Sequence, residues 1–459
     1  MKILKQTKRI RGDILAVKVG FVSLGCNKNL CDTENMMGLL YEDGFEITSD
    51  PKEAEVCIIN TCAFIESAKQ ESIDTILEMA QLKEGKCRVL AVCGCLAQRY
   101  AEEIEKELPE VDVIVGTTAF DSICEVIKES LKGKRVKKVK GINDKMCENL
   151  PRIRTTPSYT AYLKIAEGCH NRCTYCAIPY IRGEYRSRPF EQIILEAKAL
   201  ADDGVREIIV VAQDTTHYGV DLYGKRRLAE LLKALSEIDS LEWVRVHYCY
   251  PEELDDELIE VIKNEKKIVK YLDIPVQHGS DTVLKRMGRK TTREKIEKLI
   301  EKLRNEIPDI TLRTSIIVGF SGETEEEFSE LKQFLEKVKF DRVGVFSYSC
   351  EEGTPAEKLK GHLDEDTKEA RHAEIMELSQ RISLERNNSM IGKTVKVLTE
   401  GFDENLYYGR SEGESIEIDP KIYFGAHREL NLGDFAFVTV KSADIYDLYG
   451  EEEGKEDVL

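Results

Sequence analysis

Residues 168–176 read Gly168-Cys169-His170-Asn171-Arg172-Cys173-Thr174-Tyr175-Cys176. Three cysteines stand there at C-x3-C-x2-C spacing, directly after the apolar, β-prone run Tyr162-Leu163-Lys164-Ile165-Ala166. A strand that delivers three thiols into one short loop can ligate three irons of a cubane cluster. The fourth iron is then left open to a substrate or cofactor. A structural zinc site calls for four protein ligands. His170 could be recruited, but its place next to Cys169 makes a shared tetrahedral site awkward. The spacing points to an iron–sulfur cluster, with zinc and inert thiols as the other readings.

With the aromatic Tyr175 before its last cysteine, this motif resembles that of the radical S-adenosylmethionine (SAM) enzymes. The resemblance implies that the open iron chelates the amino and carboxylate groups of SAM. One electron from the cluster then cleaves SAM to a 5′-deoxyadenosyl radical, which abstracts hydrogen from an unactivated carbon.

At 459 residues the chain has room for two or three domains. Hydrophobic content of 42% with 33% charged residues suits a soluble fold with an ample core. The apolar runs fall short of a membrane span. The N-terminal stretch MKILKQTKRIRGDILAVKVG is basic but lacks an apolar core and a small-residue cleavage site. The expectation is a cytoplasmic protein with no membrane partner. Fourteen cysteines in such a chain argue for metal or redox roles over a disulfide framework. Seven fall between Cys26 and Cys95, while Cys124, Cys147, Cys249 and Cys350 are scattered and read as small core residues. A net charge of −18 opposes a generic polyanion binder and favours a cationic partner or a small molecule.

After a basic leader (1–16), strand and helix patterns alternate through 17–145. Strands are expected at 17–24, 56–60, 89–92 and 111–115, and helices at 32–43, 65–82, 98–107 and 119–131. This alternation predicts a doubly wound parallel α/β domain. Cys26, Cys62 and Cys95 each lie just beyond the carboxyl end of a strand, the edge where open α/β sheets gather ligands. The placement favours a second three-cysteine cluster over three unrelated buried thiols. Cys57 and Cys93 fall in strands, Cys31 begins a helix and Cys87 lies in a turn, so they are poorer ligand candidates. The segments Ser23-Leu24-Gly25-Cys26-Asn27-Lys28-Asn29, Asn60-Thr61-Cys62 and Gly94-Cys95-Leu96-Ala97-Gln98-Arg99-Tyr100 resemble the N-terminal domain of the methylthiotransferases. The resemblance implies that these three cysteines hold an auxiliary 4Fe-4S cluster whose open iron carries the sulfur to be inserted.

From 155 to 387, six strand candidates (161–166, 207–212, 242–247, 269–274, 311–318 and 342–348) alternate with helical patterns. Six β/α units are too few to close an eight-stranded barrel, so a partial (β/α)6 barrel with chemistry at its carboxyl edge is expected. Gln213–Gly219, Pro275–Ser280 and Val318–Thr324 fall on that edge with Cys169. By resemblance, the cofactor-contacting residues for SAM are Tyr175, Gln213, Gln277, Arg313 and Gly319. A lone Arg313 could equally be a structural ion-pair partner. Arg182, Arg186 and Arg188 could receive an acidic side chain or form a solvated surface. His217 and His278 could carry protons or simply be hydrogen-bonded. The Gly-Glu pair frequent after the second strand in the superfamily is replaced by Gln213-Asp214, which leaves the amino-group contact open.

Beyond Asn388 the apolar period switches to two. Short strands with Gly, Asp and Asn turns predict a five-stranded OB-like antiparallel barrel over 388–455, resembling a TRAM domain. Residues 391–459 carry 7 Lys and Arg against 16 Asp and Glu, a net of −9. An RNA-binding barrel would need the opposite sign, whereas an acidic one suits a basic protein or simply aids solubility.

The resemblance spans nearly the whole chain. It is closest to the methylthiotransferases that modify the β-carbon of an aspartate in small-subunit ribosomal protein twelve. Ala166-Glu167-Gly168-Cys169, Cys176-Ala177-Ile178-Pro179, Gln213-Asp214-Thr215-Thr216 and Tyr446-Asp447-Leu448-Tyr449-Gly450 carry it. It implies two 4Fe-4S clusters, two SAM molecules, that ribosomal protein or its subunit as partner, and a reduced flavodoxin- or ferredoxin-type electron donor. The alternatives are a tRNA methylthiotransferase of the same family, which the acidic barrel opposes, and a non-catalytic iron–sulfur or zinc scaffold that binds ribosomes.

Overall fold

Two parallel sheets and one closed barrel succeed each other along the chain in a computed structural model that describes residues 17–144 and 149–454. The basic leader and Cys147 lie outside the described residues. The first sheet contains β1 (Lys18–Ser23), β2 (Glu46–Thr48), β3 (Val56–Thr61), β4 (Val89–Gly94), β5 (Val113–Val115) and β6 (Val136–Lys138) in the order β2-β1-β3-β4-β5-β6. All pairs are parallel. Val56, Ile58, Val89 and Ala91 feed the core on one face, and Cys57, Ile59, Leu90 and Val92 that on the other. Continuous apolar runs are what burial on both faces requires. The short edge strands β2 and β6 went unpredicted because three residues carry too little pattern to register. Two expected helices start earlier than the sequence suggested. One spans Asn27–Glu42, so Cys31 lies in its second turn and does not begin it. The other begins at Cys95 and breaks at Tyr100 into Cys95–Arg99 and Ala101–Glu107.

The second sheet is built from β7 (Thr160–Lys164), β10 (Glu207–Val211), β11 (Trp243–Val246), β12 (Ile268–Asp273), β13 (Thr311–Val318) and β14 (Arg342–Ser347). Its order is β14-β13-β12-β11-β10-β7 and it stays open. A two-residue ladder, β8 (Ala166–Glu167) with β9 (Arg186–Ser187), sits beyond the end of β7. The outer faces of the six strands pack under helices in the largest core. The inner face is covered from two sides. Leu30 and Cys31 of helix Asn27–Glu42, and Ile416 of the C-terminal region, close on Tyr162, Ile209 and Val211. The third unit is a closed barrel of β15 (Thr394–Asp403), β16 (Leu406–Arg410), β17 (Ile422–Gly425), β18 (Phe435–Ala443) and β19 (Leu448–Glu452) in the order β15-β16-β17-β19-β18. Only β17 and β19 pair parallel, and the barrel is filled by Val397, Ile422, Phe424, Ala436, Val438 and Val440.

Charged groups make the joints. Arg152 reaches from the linker to Glu34 of the first unit and to Glu196 of the second, and its Nη1 donates to the Tyr162 carbonyl at 2.8 Å. At the opposite end, Arg245 Nε and Arg410 Nη2 lie 2.9 and 2.6 Å from the Glu207 carboxylate. Arg342 meets Glu414 at 3.1 Å, and Tyr271 donates to Asp419 at 2.7 Å. Burial alone would raise the Glu207 carboxyl, but the flanking guanidiniums of Arg410 and Arg245 hold it down at about 2. A depressed carboxyl contributes stability above its unfolded value, and that contribution fades as pH falls from about 4.5 toward 2. Glu207→Ala leaves the buried Arg245 guanidinium without a carboxylate and Arg410 with Glu400 alone, and should destabilise the protein by about 3–5 kcal/mol. Urea unfolding at pH 7 should show this loss, and the gap between wild type and variant should narrow on acidification through that range.

Candidate active site

Cys26, Cys62 and Cys95 come from three neighbouring strand ends. Cys26 is the extended residue capping helix Asn27–Glu42 (φ −103°, ψ 167°) and is exposed. Gly25 before it has φ +86°, and a Cβ there would sit 2.8 Å from the Cys62 Cβ, so only glycine lets the two loops touch. Cys62 is pinned at both backbone groups by the Ser72 hydroxyl, at 3.0 and 2.9 Å. Cys95 opens its helix after Gly94, where φ is +91° and a Cβ would overlap Asn60 Oδ1. Asn29 Nδ2 donates to the Leu24, Asn60 and Thr61 carbonyls, which ties the loop after β1 to that after β3. Burial raises the Cys62 thiol and pushes Cys95 up to about 12; Arg182 opposes both, and the charge of Cys26 adds to both. By contrast, Cys93 is buried inside β4 and raised by burial alone, and Cys57 and Cys87 face each other.

The loop Cys169–Cys176 is held from several directions. Its Cys169 N–H donates to the Gly183 carbonyl at 3.2 Å, and Thr174 donates from its N–H to Met287 and from its hydroxyl to Arg286. Asn171 Nδ2 donates to Asp214 at 2.7 Å. Cys173 Sγ lies 2.7 Å from the Tyr250 hydroxyl, and the Arg289 guanidinium stacks 3.8 Å over the Tyr250 ring. Burial, then the charge of Asp214, pushes the Cys169 thiol up to about 12, and burial raises Cys176 further. Among the described residues, no three His, Cys, Asp or Glu side chains converge tightly enough to share one ion. A cubane instead takes one thiolate per iron, so three neighbouring thiols that do not converge on one point fit it better than they fit a mononuclear zinc ion. Such ligands must shed their protons on loading, which couples the sites to metal.

Arg182 joins the two triads. Its Nη2 donates to Asn29 Oδ1 at 2.8 Å and approaches Cys95 Sγ at 3.4 Å. Its Nη1 lies 2.7 Å from Asp32 and 3.0 Å from Glu167, next to the Gly168–Cys176 loop. Lys164 pairs with the same two carboxylates. Burial would raise Glu167, but Arg182 and Lys164 hold its carboxyl well below the usual range. Arg182 is thus neither a solvated cation nor a free receiver of an acidic group. Arg188 is likewise engaged, with Glu196 at 2.6 Å and the Lys164 carbonyl, and Arg186 donates to the Arg182 and Glu184 carbonyls.

The expected SAM contacts are distributed unevenly. Tyr175 is half-buried and meets Phe320 edge-on at 6.5 Å. Gln213 Nε2 donates to Glu167 at 2.7 Å, while its Oε1 is buried and has no partner among the described residues. Gln277 takes a left-handed backbone (φ +74°) and pairs with Ser315 and Ile317 of β13. Gly319 turns the chain after β13, and its N–H is already taken by the Glu323 carboxylate at 3.1 Å. Arg313 stands apart from this edge. It is five residues before the end of β13, about 16 Å at strand rise, and lies 3.1 Å from Asp273 and 3.6 Å from Asp419. The ion-pair reading therefore describes its place, and the carboxylate-fork expectation does not. His217 pairs with Glu253 at 3.0 Å and stacks on His170. His278 accepts from the Ser280 N–H and approaches Glu323 at 3.2 Å. Tyr250, Arg289 and the hub role of Arg182 had no local signal, because their partners are distant in sequence. Glu167 could have been flagged by its place beside Gly168.

Three family models match the chain: the radical SAM superfamily over residues 163–335, the uncharacterized protein family UPF0004 over 18–116, and the TRAM domain over 391–452. A protein of Lachnoclostridium phytofermentans is 52% identical over 440 residues, covering 95% of this chain and 100% of its own. One of Acetivibrio thermocellus is 54% identical over 443 residues, covering 95% and 98%. Both are named ribosomal protein uS12 methylthiotransferase RimO. Among solved structures, the radical SAM methyltransferase TsrM of Kitasatospora setae, with cobalamin and a 4Fe-4S cluster bound, aligns with a TM-score of 0.54 at 14% identity over 74% of this chain and 77% of its own. The cobalamin-dependent SAM radical enzyme OxsB aligns at 0.51 over 80% and 56%. At that identity both speak for the fold alone. With more than half of its residues shared with such relatives over almost its full length, the chain belongs to the RimO family of radical SAM methylthiotransferases.

Proposed function

We propose that this protein adds a methylthio group to the β-carbon of an aspartate in ribosomal protein uS12. The observation that carries the reading is the buried Arg182 network, which sets the strand ends bearing Cys26, Cys62 and Cys95 against the loop bearing Cys169, Cys173 and Cys176. Each triad has the donors for one 4Fe-4S cluster. When bound, the two clusters and SAM supply hydrogen-atom abstraction and the methylthio group. An inert C–H bond on the acceptor is why radical chemistry is required.

The chain's own residues hold and orient. Tyr250 and Arg289 brace Cys173, and Asn171 with Asp214 fixes the other end of the loop. Burial pushes the Asp214 carboxyl up to about 6. Tyr175, Gln277 and Gly319 are the SAM contacts this reading assigns, and Gln213 Oε1, buried without a partner among the described residues, is the acceptor it offers there. The functional units are taken as 17–145 for the auxiliary cluster, 155–387 for the radical cluster and 388–455 for docking. The acidic barrel suits a basic ribosomal protein and opposes tRNA, whose phosphates need cations. A reduced flavodoxin- or ferredoxin-type protein is the electron donor expected for such a cluster.

Anaerobically reconstituted protein should bind about eight irons per chain, and replacing either cysteine triad by alanine should remove about half. With SAM, uS12 and a strong reductant, the intact enzyme should release 5′-deoxyadenosine and increase the mass of uS12 by a methylthio group. Modification of tRNA with uS12 untouched would overturn the reading in favour of the tRNA branch. Arg182→Met leaves Asp32 and Glu167 with Lys164 as their one cationic partner among the described residues. Loss of a buried ion-pair partner should lower unfolding stability by about 3 kcal/mol or more, and uS12 modification should fall at least about tenfold.

A further inference from the structure

Lys28 is the buried cation that this network does not absorb. It is 7% exposed, in the first turn of helix Asn27–Glu42 and two residues after Cys26. Its Nζ lies 3.4 Å from the centroid of the Tyr248 ring. Among the described residues it has no carboxylate within 4.0 Å. Lys164, Arg152, Arg182, Arg245 and Arg410, buried to the same degree, each hold at least one carboxylate. The nearby Asp273 is committed to Arg313 and to the Tyr248 N–H. Burying an ammonium is unfavourable and an aromatic face offsets only part of that; the other negative charges acting on Lys28 are those of Cys26, two residues before it, and of Asp273.

The surroundings are rigid. Tyr248 follows β11 with a left-handed backbone (φ +60°), which a non-glycine residue adopts only when its neighbours impose it. Its N–H is held by Asp273 and its carbonyl by the Thr215 N–H and hydroxyl. Two residues on, Tyr250 touches Cys173. Lys28 over Tyr248 therefore bridges the helix turn that follows one triad and the segment that abuts the other. Lys28, Cys31 and Asp32 share the helix face turned toward the second sheet, where Cys31 packs on Tyr162 and Asp32 pairs with Lys164.

We propose that Lys28 receives the side-chain carboxylate of the acceptor aspartate, with the Tyr248 ring as the floor that aims its ammonium. The assignment rests on the function proposed above. In an aspartate the carboxylate is one bond from the β-carbon, so a fixed cation beside it positions that carbon between the triads and selects aspartate over asparagine. The chemical class recognised is a carboxylate on an otherwise basic protein surface.

The test uses reconstituted full-length wild type, Lys28→Met and Lys28→Arg with uS12 and with uS12 in which the acceptor Asp is changed to Asn. Iron content, 5′-deoxyadenosine and intact mass are read in parallel. Lys28→Met should lower kcat/KM for uS12 by about 10- to 100-fold, chiefly through KM, with iron content and SAM cleavage retained. Lys28→Arg should recover part of the loss. The Asn substrate should suffer a similar drop with wild type and little more with Lys28→Met, because the two changes remove one interaction. Unchanged kinetics of Lys28→Met, equal losses on both substrates, or loss of iron would each overturn the assignment. Should Lys28→Met fail to fold, wild type that modifies the Asn substrate as well as the Asp one overturns it alone. Wild type that leaves uS12 unmodified refutes the functional reading and the assignment with it.

Discussion

Six parallel strands cannot close on themselves, and most of this architecture answers that constraint. An open barrel leaves an inner face of Tyr162, Ile209 and Val211 that must be covered. Helix Asn27–Glu42 enters from the N-terminal unit and Ile416 from the C-terminal one. Covering the lumen this way brings the two cysteine triads near each other, because Cys26 caps the helix that supplies Leu30 and Cys31. The packing requirement and the chemical one are met by the same sixteen-residue helix.

The joints are ionic where an apolar seam could have served. Glu207 with Arg245 and Arg410, Glu34 with Arg152, and Asp32 and Glu167 with Lys164 and Arg182 are all buried. Buried pairs give little net stability over apolar packing but penalise misalignment heavily, since a shifted partner leaves an unpaired charge. That property suits a protein whose two triads must keep a fixed relation. Arg182 also places a positive charge beside Cys95, which favours the thiolate that a metal cluster needs.

Strand–helix alternation, the partial barrel and the period-two C-terminal region were legible because each rests on local repetition. Helix starts at Cys26 and Cys95 were missed by several residues, since Asn27-Lys28-Asn29 reads as turn chemistry and the capping thiol gives no ordinary capping signal. Arg313 shows the harder failure. Its sequence context places it in a strand but cannot say that Asp419, more than a hundred residues on, approaches it. Arg182 likewise stood in a visibly basic stretch, yet Cys95, Asp32 and Asn29, which hold it to the first unit, lie 87, 150 and 153 residues away.

By itself, the sequence determined the two sets of three cysteines, the doubly wound and partial-barrel units that carry them, and the acidic barrel that closes the chain. These follow from spacing, periodicity and charge, which act over a few residues. Tertiary structure alone decided which buried cations, among the described residues, meet a carboxylate and which does not. It paired Arg313 with Asp273 and Asp419, spent Arg182 on Asp32 and Glu167, and left Lys28 against an aromatic face. Electrostatic partnership depends on distance through space in a low-dielectric interior, and distance through space is what a sequence does not contain.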